Sequence, residues 1–360
     1  MSEEKIDFYT LNVGHGDSHV IHFPKKQAAV VIDPGNAGLI NLLLHQQLKI
    51  KHLPLILISH FDLDHMAGLN SIIKKCLDND SHPGIKPGYI FFSDQFFDKS
   101  KLCRRVSDIL DDFTHLQKEH DIKLEYCIAD NSSAEVFKKE LEKLGIDGRI
   151  IYPKRMQQKQ SYKKNDFNLA SVLLLLTFAH KKILYTGDLP YAGWEQVAPG
   201  EDLTSDVFKV PHHGGNISRT HTPGRDTAKI LERVKPNFAL ISVGDIYNHP
   251  HPEVVGAIVT HDRNPHLFCT RMTKQCCNDK DNHMKEEILE FYQREMEEHD
   301  AQILRLGSEK GTLCAGTIRV TFTRDTVTPY TSPPVPIYYR MLKNLFSTRA
   351  LLCRAQFKNP

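Results

Sequence analysis

The run from Ser59 to Leu69, Ser-His-Phe-Asp-Leu-Asp-His-Met-Ala-Gly-Leu, limits the possible folds more than any other part of the chain. It follows Leu53–Ile58, a short apolar run that reads as a buried strand. After it, Met66, Leu69, Ile73 and Cys76 recur at helical spacing. Four side chains able to bind a metal, His60, Asp62, Asp64 and His65, are therefore expected in a tight loop between strand and helix. Such a loop can aim imidazoles and carboxylates at one point, and Gly68 leaves room for the chain to turn. A lone His-Asp pair at a strand end is more simply a turn with a helix cap. Four such residues together favour a metal site, because further His and Asp clusters follow downstream.

Those clusters share one position, the end of an apolar run. Ile6–Val13 reads as a strand ending in Gly14-His15-Gly16-Asp17-Ser18. His19–Phe23 and Ala28–Ile32 read as a strand pair around Pro24-Lys25-Lys26, and the second ends in Asp33-Pro34-Gly35. That triplet is a strong turn former in any fold, so Asp33 is either a turn residue or a residue that orients a metal-binding loop. Val172–Phe178 and Ile183–Tyr185 read as a hairpin across Lys181-Lys182, ending in Thr186-Gly187-Asp188. Val207–Val210 ends in Pro211-His212-His213-Gly214-Gly215-Asn216. Phe238–Val243 ends in Gly244 and then Asn248-His249-Pro250-His251-Pro252, where the prolines stiffen a loop carrying two imidazoles.

These motifs, in this order, resemble the metallo-β-lactamase superfamily, whose usual form is His-x-His-x-Asp-His. Here Asp62 stands in place of the second His. The variant His-x-Asp-x-Asp-His looks like the hydrolase domain of ComEC-type competence proteins. So do Leu-Asn-Val-Gly-His-Gly-Asp-Ser, where that family has Asp and Gln in place of Asn12 and His15, and Asn168-x-x-Ser171, where classical members carry a His ligand. The resemblance covers roughly residues 6–260. It implies an α/β fold: a four-layer αββα sandwich with a helical insertion and a C-terminal extension. The expected organisation is a hydrolase domain over 1–265 with a variable insertion about 86–165, an extension over 266–330 packed on it, and a basic tail over 331–360.

By the same resemblance, His60 and Asp62 hold one divalent ion, Asp64 and His65 the other, Asp188 bridges, and His212 completes the set. Of His212 and His213 one is expected to ligate and the other to line the pocket, and the motif leaves open which; with His213 in the pocket and His251 contacting the substrate, Asp64, His213 and His251 are the catalytic candidates. Asp17, Asp33, Asn168 and His249 stand behind the ligands. Two such ions would lower the pKa of a shared water toward neutrality. The three carboxylates favour Mn²⁺ or Mg²⁺, and the imidazoles still admit Zn²⁺.

The formal net charge is only +2, so nucleic acid would have to be met by local patches. One candidate lies over Lys154–Lys164, where Lys154, Arg155, Lys163 and Lys164 occur without an acid; it reads as either a solvated loop or a phosphate contact. Between the metal loop and that segment, Leu102 to Leu116 marks an amphipathic helix. Ser132 with Glu135 suits a capping box opening another, closed by Gly145. No apolar run approaches the ~20 residues of a membrane span, and Met-Ser-Glu-Glu-Lys lacks the regions of a signal peptide. The eight scattered cysteines read as reduced thiols, and a cytoplasmic location is expected. Cys269, Cys276, Cys277 and Cys314 with His283 lack the paired spacing of a zinc knuckle.

The expected function is metal-dependent hydrolysis, first of all of a DNA phosphodiester, in a bacterial defence or DNA-processing system. A small-molecule lactonase or phosphoester hydrolase is the alternative, because fold alone cannot choose among these. A third reading is a partner-binding effector with a regulated metal site, engaging another protein through the C-terminal extension.

Overall fold

The computed structural model describes residues 4–78, 85, 87–93, 102–218, 222–244, 246–271, 273 and 314–331. Two sheets form its frame. Strands β1 (Ile6–Thr10), β2 (His19–Phe23), β3 (Ala28–Ile32), β4 (His52–Ile58), β5 (Pro87–Phe92) and β6 (Lys123–Tyr126) belong to the first sheet. Strands β7 (Asp147–Tyr152), β8 (Leu173–Phe178), β9 (Lys181–Tyr185), β10 (Val207–Lys209), β11 (Phe238–Ile241) and β12 (His266–Cys269) make the second. Two late strands, β13 (Ile318–Phe322) and β14 (Val327–Tyr330), return to the first sheet, so its order is β14-β13-β1-β2-β3-β4-β5-β6. The second runs β12-β11-β10-β9-β8-β7. Each sheet has an antiparallel half and a parallel half: β3 to β6 are parallel in one, β9 to β12 in the other.

The helices are α1 (Ala37–Asn41), α2 (Leu63–Met66), α3 (Leu69–Leu77), α4 (Arg104–His120), α5 (Ser132–Lys143), α6 (Arg155–Lys164), α7 (Tyr191–Trp194), α8 (Pro223–Val234) and α9 (Pro252–Val259). The central strands of the first sheet are covered on both faces, which is why Leu55 to Ile58 is uninterruptedly apolar. Alternate residues divide between two cores. Phe8, Ile21, Val30, Leu57 and Phe91 meet Leu174, Leu176, Leu184 and Phe208 between the sheets. Tyr9, Val20, Val31, Ile58 and Phe92 face the opposite way, toward Leu39, Leu69, Ile72, Val106 and Phe113 of α1, α3 and α4. From the second sheet's side, Ile230 and Leu231 of α8 and Val255 and Ile258 of α9 join the inter-sheet core. The result is a mixed α/β sandwich of two sheets with flanking helices.

Several local expectations are corrected. Lys154–Lys164 is not a loop: Arg155–Lys164 is helix α6, docked by Gln158, whose buried side chain donates to the Ser93 carbonyl beyond β5. Asn131, not Ser132, caps α5, accepting from Ser133 N at 3.0 Å. The β8–β9 hairpin turns at Ala179-His180, so Lys181 and Lys182 belong to the strand. Asp64 and His65 lie in a one-turn helix rather than a loop. Cys276, Cys277, His283 and the basic tail over 332–360 lie outside the described residues. Among those described, no helix is long and apolar enough to cross a membrane.

Candidate metal centre

Parallel strands all release their C-terminal ends on one side, and here the two sheets do so together. Asp33 follows β3, Ser59 and His60 follow β4, Asp188 follows β9, His212 and His213 follow β10, and Ser242 follows β11. Backbone bonds tie these ends to one another: Asp33 N to Leu57 O, Val172 N to Ser59 O, and His212 N to Gly187 O.

Asp33, fully buried, organises the first group. Its carboxylate accepts from Ser59 N at 2.6 Å, Ser59 Oγ at 2.5 Å, His65 Nδ1 at 2.7 Å and the Tyr185 hydroxyl. Burial pushes the Tyr185 phenol far up, with Asp33 and Asp17 adding to it, so it remains a donor. Burial alone would raise Asp33; the His65 and His60 imidazoles outweigh it and hold the carboxyl below its usual value. Ser59 Oγ in turn meets His60 Nδ1 at 3.0 Å. His213 directs Nδ1 at the Ser242 carbonyl, 2.9 Å away.

Three imidazoles thus have Nδ1 engaged by a protein oxygen and Nε2 turned the other way. The Nε2 atoms of His60, His65 and His213 are buried with no hydrogen-bond partner. All three face one atom, Asp188 Oδ2, at 3.9, 3.4 and 3.4 Å, and His212 Nε2 approaches it at 4.0 Å. Asp62 Oδ2 lies 3.6 Å from His60 Nε2, and Asp64 Oδ2 lies 3.4 Å from His213 Nε2 and 3.9 Å from His65 Nε2. Donors sharing a tetrahedral ion at bond lengths near 2.0–2.1 Å stand about 3.4 Å apart. Orphaned buried nitrogens at that spacing fit a metal centre. Orienting each imidazole through its other nitrogen is what such ligands require.

The charges agree. Burial opposes ionisation of Asp188, but His213, His65 and His212 hold it well below the carboxylate range. Burial alone would lower His213; Asp188 and Asp17 overcome it and lift it to about 10. Asp188, Asp33 and Asp64 likewise raise His65 against burial. A field that clamps protons onto imidazoles is a field in which a cation is stable.

Beneath the imidazoles lies a buried ion pair that the motif reading did not include. Lys209 and Asp17 are both fully buried and paired directly, and Lys209 Nζ also donates to the Gly187 carbonyl at 3.1 Å and lies 3.7 Å from Asp188 Oδ1. Its signal was available: a lysine inside the apolar strand Val207-Phe-Lys-Val. Ser59, Ser242 and Tyr185 gave no such signal.

The other expected residues are placed as follows. Asn168 lies in the 3-10 turn Phe167–Ala170, and it is Ser171 beyond it whose Oγ accepts from Asp188 N at 3.2 Å. His249 packs its ring 5.4 Å from that of His212, and burial with the neighbouring His212, His213 and His15 lowers it to about 4. A Cβ on Gly215 would come within 2.4 Å of the His249 ring. His251 caps α9, its Nδ1 accepting from Glu253 N at 3.3 Å. Lys154, Arg155, Lys163 and Lys164 are exposed on and beside α6.

Residues 11–80 match the metallo-beta-lactamase superfamily model. That span holds Asp17, Asp33 and the His60–His65 run, and the two-sheet sandwich is consistent with the metallo-β-lactamase fold. No curated protein matches the chain. Among solved structures, the metallo-beta-lactamase fold protein YhfI from Bacillus subtilis is 12% identical, with 73% of this chain and 96% of that one covered and a TM-score of 0.42. A diphosphatase of the PhnP family is 13% identical, with 73% and 94% covered and a TM-score of 0.37.

Proposed function

We propose that the chain is a two-metal phosphodiesterase that cleaves DNA. The observation carrying the proposal is the convergence of the His60, His65 and His213 Nε2 atoms, buried and unbonded, on Asp188 Oδ2. His60, Asp62 and His212 would hold one ion, Asp64, His65 and His213 the other, with Asp188 between them. Bound there, Zn²⁺ or Mn²⁺ would supply Lewis-acid polarisation of a phosphoryl oxygen and acidify a water toward neutrality. The protein's own part is orientation and charge. Asp33 and Ser59 fix the tautomers of His65 and His60. Lys209 helps keep Asp17 and Asp188 anionic. His249, held neutral by burial and by the neighbouring imidazoles, packs against His212 at the rim.

Two features favour a polynucleotide. The motif order is similar to that of ComEC-type hydrolase domains. Helix α6, with Lys163 and Lys164 exposed, is docked by Gln158 near the C-terminal end of β5, the side on which the metal centre lies, where its charges suit a phosphate backbone. The test is incubation with linear, circular and single-stranded DNA, and with a chromogenic small phosphodiester, in Mn²⁺ and in Zn²⁺. Expected are DNA cleavage, its loss by about a hundred- to a thousandfold in Asp188→Asn on the scale of removing one catalytic group, and a weaker salt dependence of DNA binding in the Lys163→Ala, Lys164→Ala double variant. Turnover of the small diester with no action on any DNA would reject the polynucleotide; no turnover of either by a folded, metal-loaded protein would reject the phosphodiesterase.

A further inference from the structure

His15 stands outside the ligand set just described, yet the structure drives its ring into it. Its Nε2 lies 3.0 Å from Asp64 Oδ2, the oxygen that His213 Nε2 and His65 Nε2 approach at 3.4 and 3.9 Å. The ligand atoms of His15, Asp64 and His213 all fall within 4.8 Å of one another. The ring packs against His213 at 5.1 Å between centroids and against Tyr247 at 4.8 Å. Its far nitrogen, Nδ1, is buried with no hydrogen-bond partner.

The backbone that delivers His15 has almost no freedom. It is flanked by Gly14 and Gly16 at φ +87° and +111°, a region that L side chains rarely adopt. A Cβ on Gly16 would fall 2.4 Å from the Asp64 carbonyl oxygen, and one on Gly244 would fall 2.2 Å from His15 N. Ser242 Oγ donates to the Gly16 carbonyl at 2.6 Å, and Asp17 N to Asp64 O at 3.1 Å. Three segments distant in sequence are thus closed upon one another with His15 at their junction. A surface imidazole needing only a hydrogen bond to Asp64 would not require such enclosure.

We propose that His15 is a ligand of the ion held by Asp64, His65 and His213, and that it makes that ion the more tightly bound of the two. The inference rests on the two-metal reading above and goes beyond it, because it assigns an added donor and a loading order. With His15, this ion has three imidazoles and the carboxylates of Asp64 and Asp188. The other has His60, His212, Asp62 and the shared Asp188. The two sets also differ in exposure: the side chains of His65, His213, His15 and Asp64 are 0, 1, 12 and 25% exposed, whereas those of His60, His212 and Asp62 are 0, 31 and 44% exposed, so the second set has two open members and the first has one partly open carboxylate. The nitrogen-rich, enclosed set holds an ion that imidazole suits, and the open set exchanges.

The experiment is titration of the metal-stripped full chain with Co²⁺, followed by its visible absorption and by native mass spectrometry, for wild type, His15→Ala, His15→Gln and His180→Ala. Wild type should take two equivalents, one tight and one weaker. In His15→Ala the tight equivalent should weaken at least about 10-fold, with a changed band shape, since even residues behind the ligands cost that much. His15→Gln, chosen to preserve polarity and fold, should lie between, and His180→Ala, at the exposed β8–β9 turn, should retain both equivalents. Two equivalents bound by a folded His15→Gln and His15→Ala with wild-type affinities and spectrum would overturn the role of His15 while leaving the two-metal reading intact. A folded wild-type chain that binds no Co²⁺ would overturn both.

Discussion

Lys209 is the most informative single position, because its replacement by methionine tests the electrostatic frame without touching a proposed ligand. The side chain is fully buried, paired with Asp17 and 3.7 Å from Asp188 Oδ1. At that distance a unit charge pair in an effective dielectric near 20 attracts by about 4–5 kcal/mol. Removing one member of a buried pair costs about 3–5 kcal/mol, since the partner is left ionised and desolvated. The lower part of the range is expected here. His19 Nε2 and His213 Nδ1 also face Asp17 Oδ1, at 3.5 and 3.6 Å, and can share the burden. An unfolding entropy of about 2.1 cal/mol/K per residue over 360 residues is roughly 0.76 kcal/mol/K. Lys209→Met should therefore lower Tm by about 4–5 °C in the metal-free protein.

The pH dependence has a definite sign. Burial raises Asp17, and Lys209, His213 and His19 more than offset it, holding the carboxyl well below its usual range. A carboxyl with a depressed folded-state pKa stabilises above its unfolded value and loses that contribution as pH falls through the folded one. Without Lys209 the depression shrinks, so the variant's deficit should be largest near neutrality and should narrow toward acid. Asp17→Asn combined with Lys209→Met removes both charges and should recover more than half of the loss. Thermal denaturation by circular dichroism, with and without metal, measures all three proteins. A Tm change under about 2 °C for Lys209→Met, or a double variant less stable than the single, would refute the account of a charge-compensated buried pair.

Metal uptake should expel protons. His213 is lifted to about 10, so the metal-free protein gains stability from its imidazolium below the unfolded value near 6.5 and loses it as pH rises toward 10. Binding an ion must displace that proton and the one on His65; titration calorimetry of the metal-free chain at pH 7 in buffers of different ionisation enthalpy should report about two protons released. A heat independent of buffer contradicts this. Gly244→Ala should cost about 1–3 kcal/mol as an overpacked site, because its methyl would lie 2.2 Å from His15 N, and should weaken the same Co²⁺ equivalent that His15→Ala weakens. Full stability with unchanged metal binding would show that the Gly14–Asp17 loop is not clamped as described.

How legible this was from sequence depended on whether a residue's partner was near or far along the chain. Strands β2 and β3 were read to the residue, because turn formers bound both and β3 is an unbroken apolar run. The His60–His65 run was legible because four donors sit within six residues. Helix α6 was missed because only Gln158 and Ser161 are buried on it. A helix docked by an amide and a hydroxyl leaves no apolar periodicity. The capping residue of α5 was misplaced by one because Asn131, Ser132 and Ser133 are all competent caps, and only geometry selects among them.

The rest of the centre was illegible for a different reason: its residues derive their roles from segments that only the fold brings together. Ser59 looks like a loop residue until Asp33 and His60 are set on either side of its hydroxyl. Lys209 stands out locally as a lysine in an apolar strand, but its partner does not: what it meets is Asp17, carried in from the loop after β1. His15 sits in the same loop, so Asp17 fixes both the counter-charge beneath the centre and the register of the imidazole at its edge. That coupling makes the loop a single unit. Asp17→Asn should therefore disturb Co²⁺ binding at the equivalent assigned to His15 even though Asp17 itself touches no ion, whereas Asn168→Ala, on a turn that meets the centre only through Ser171, should leave that equivalent within about 3-fold of wild type, inside the 10-fold that marks loss of a supporting residue.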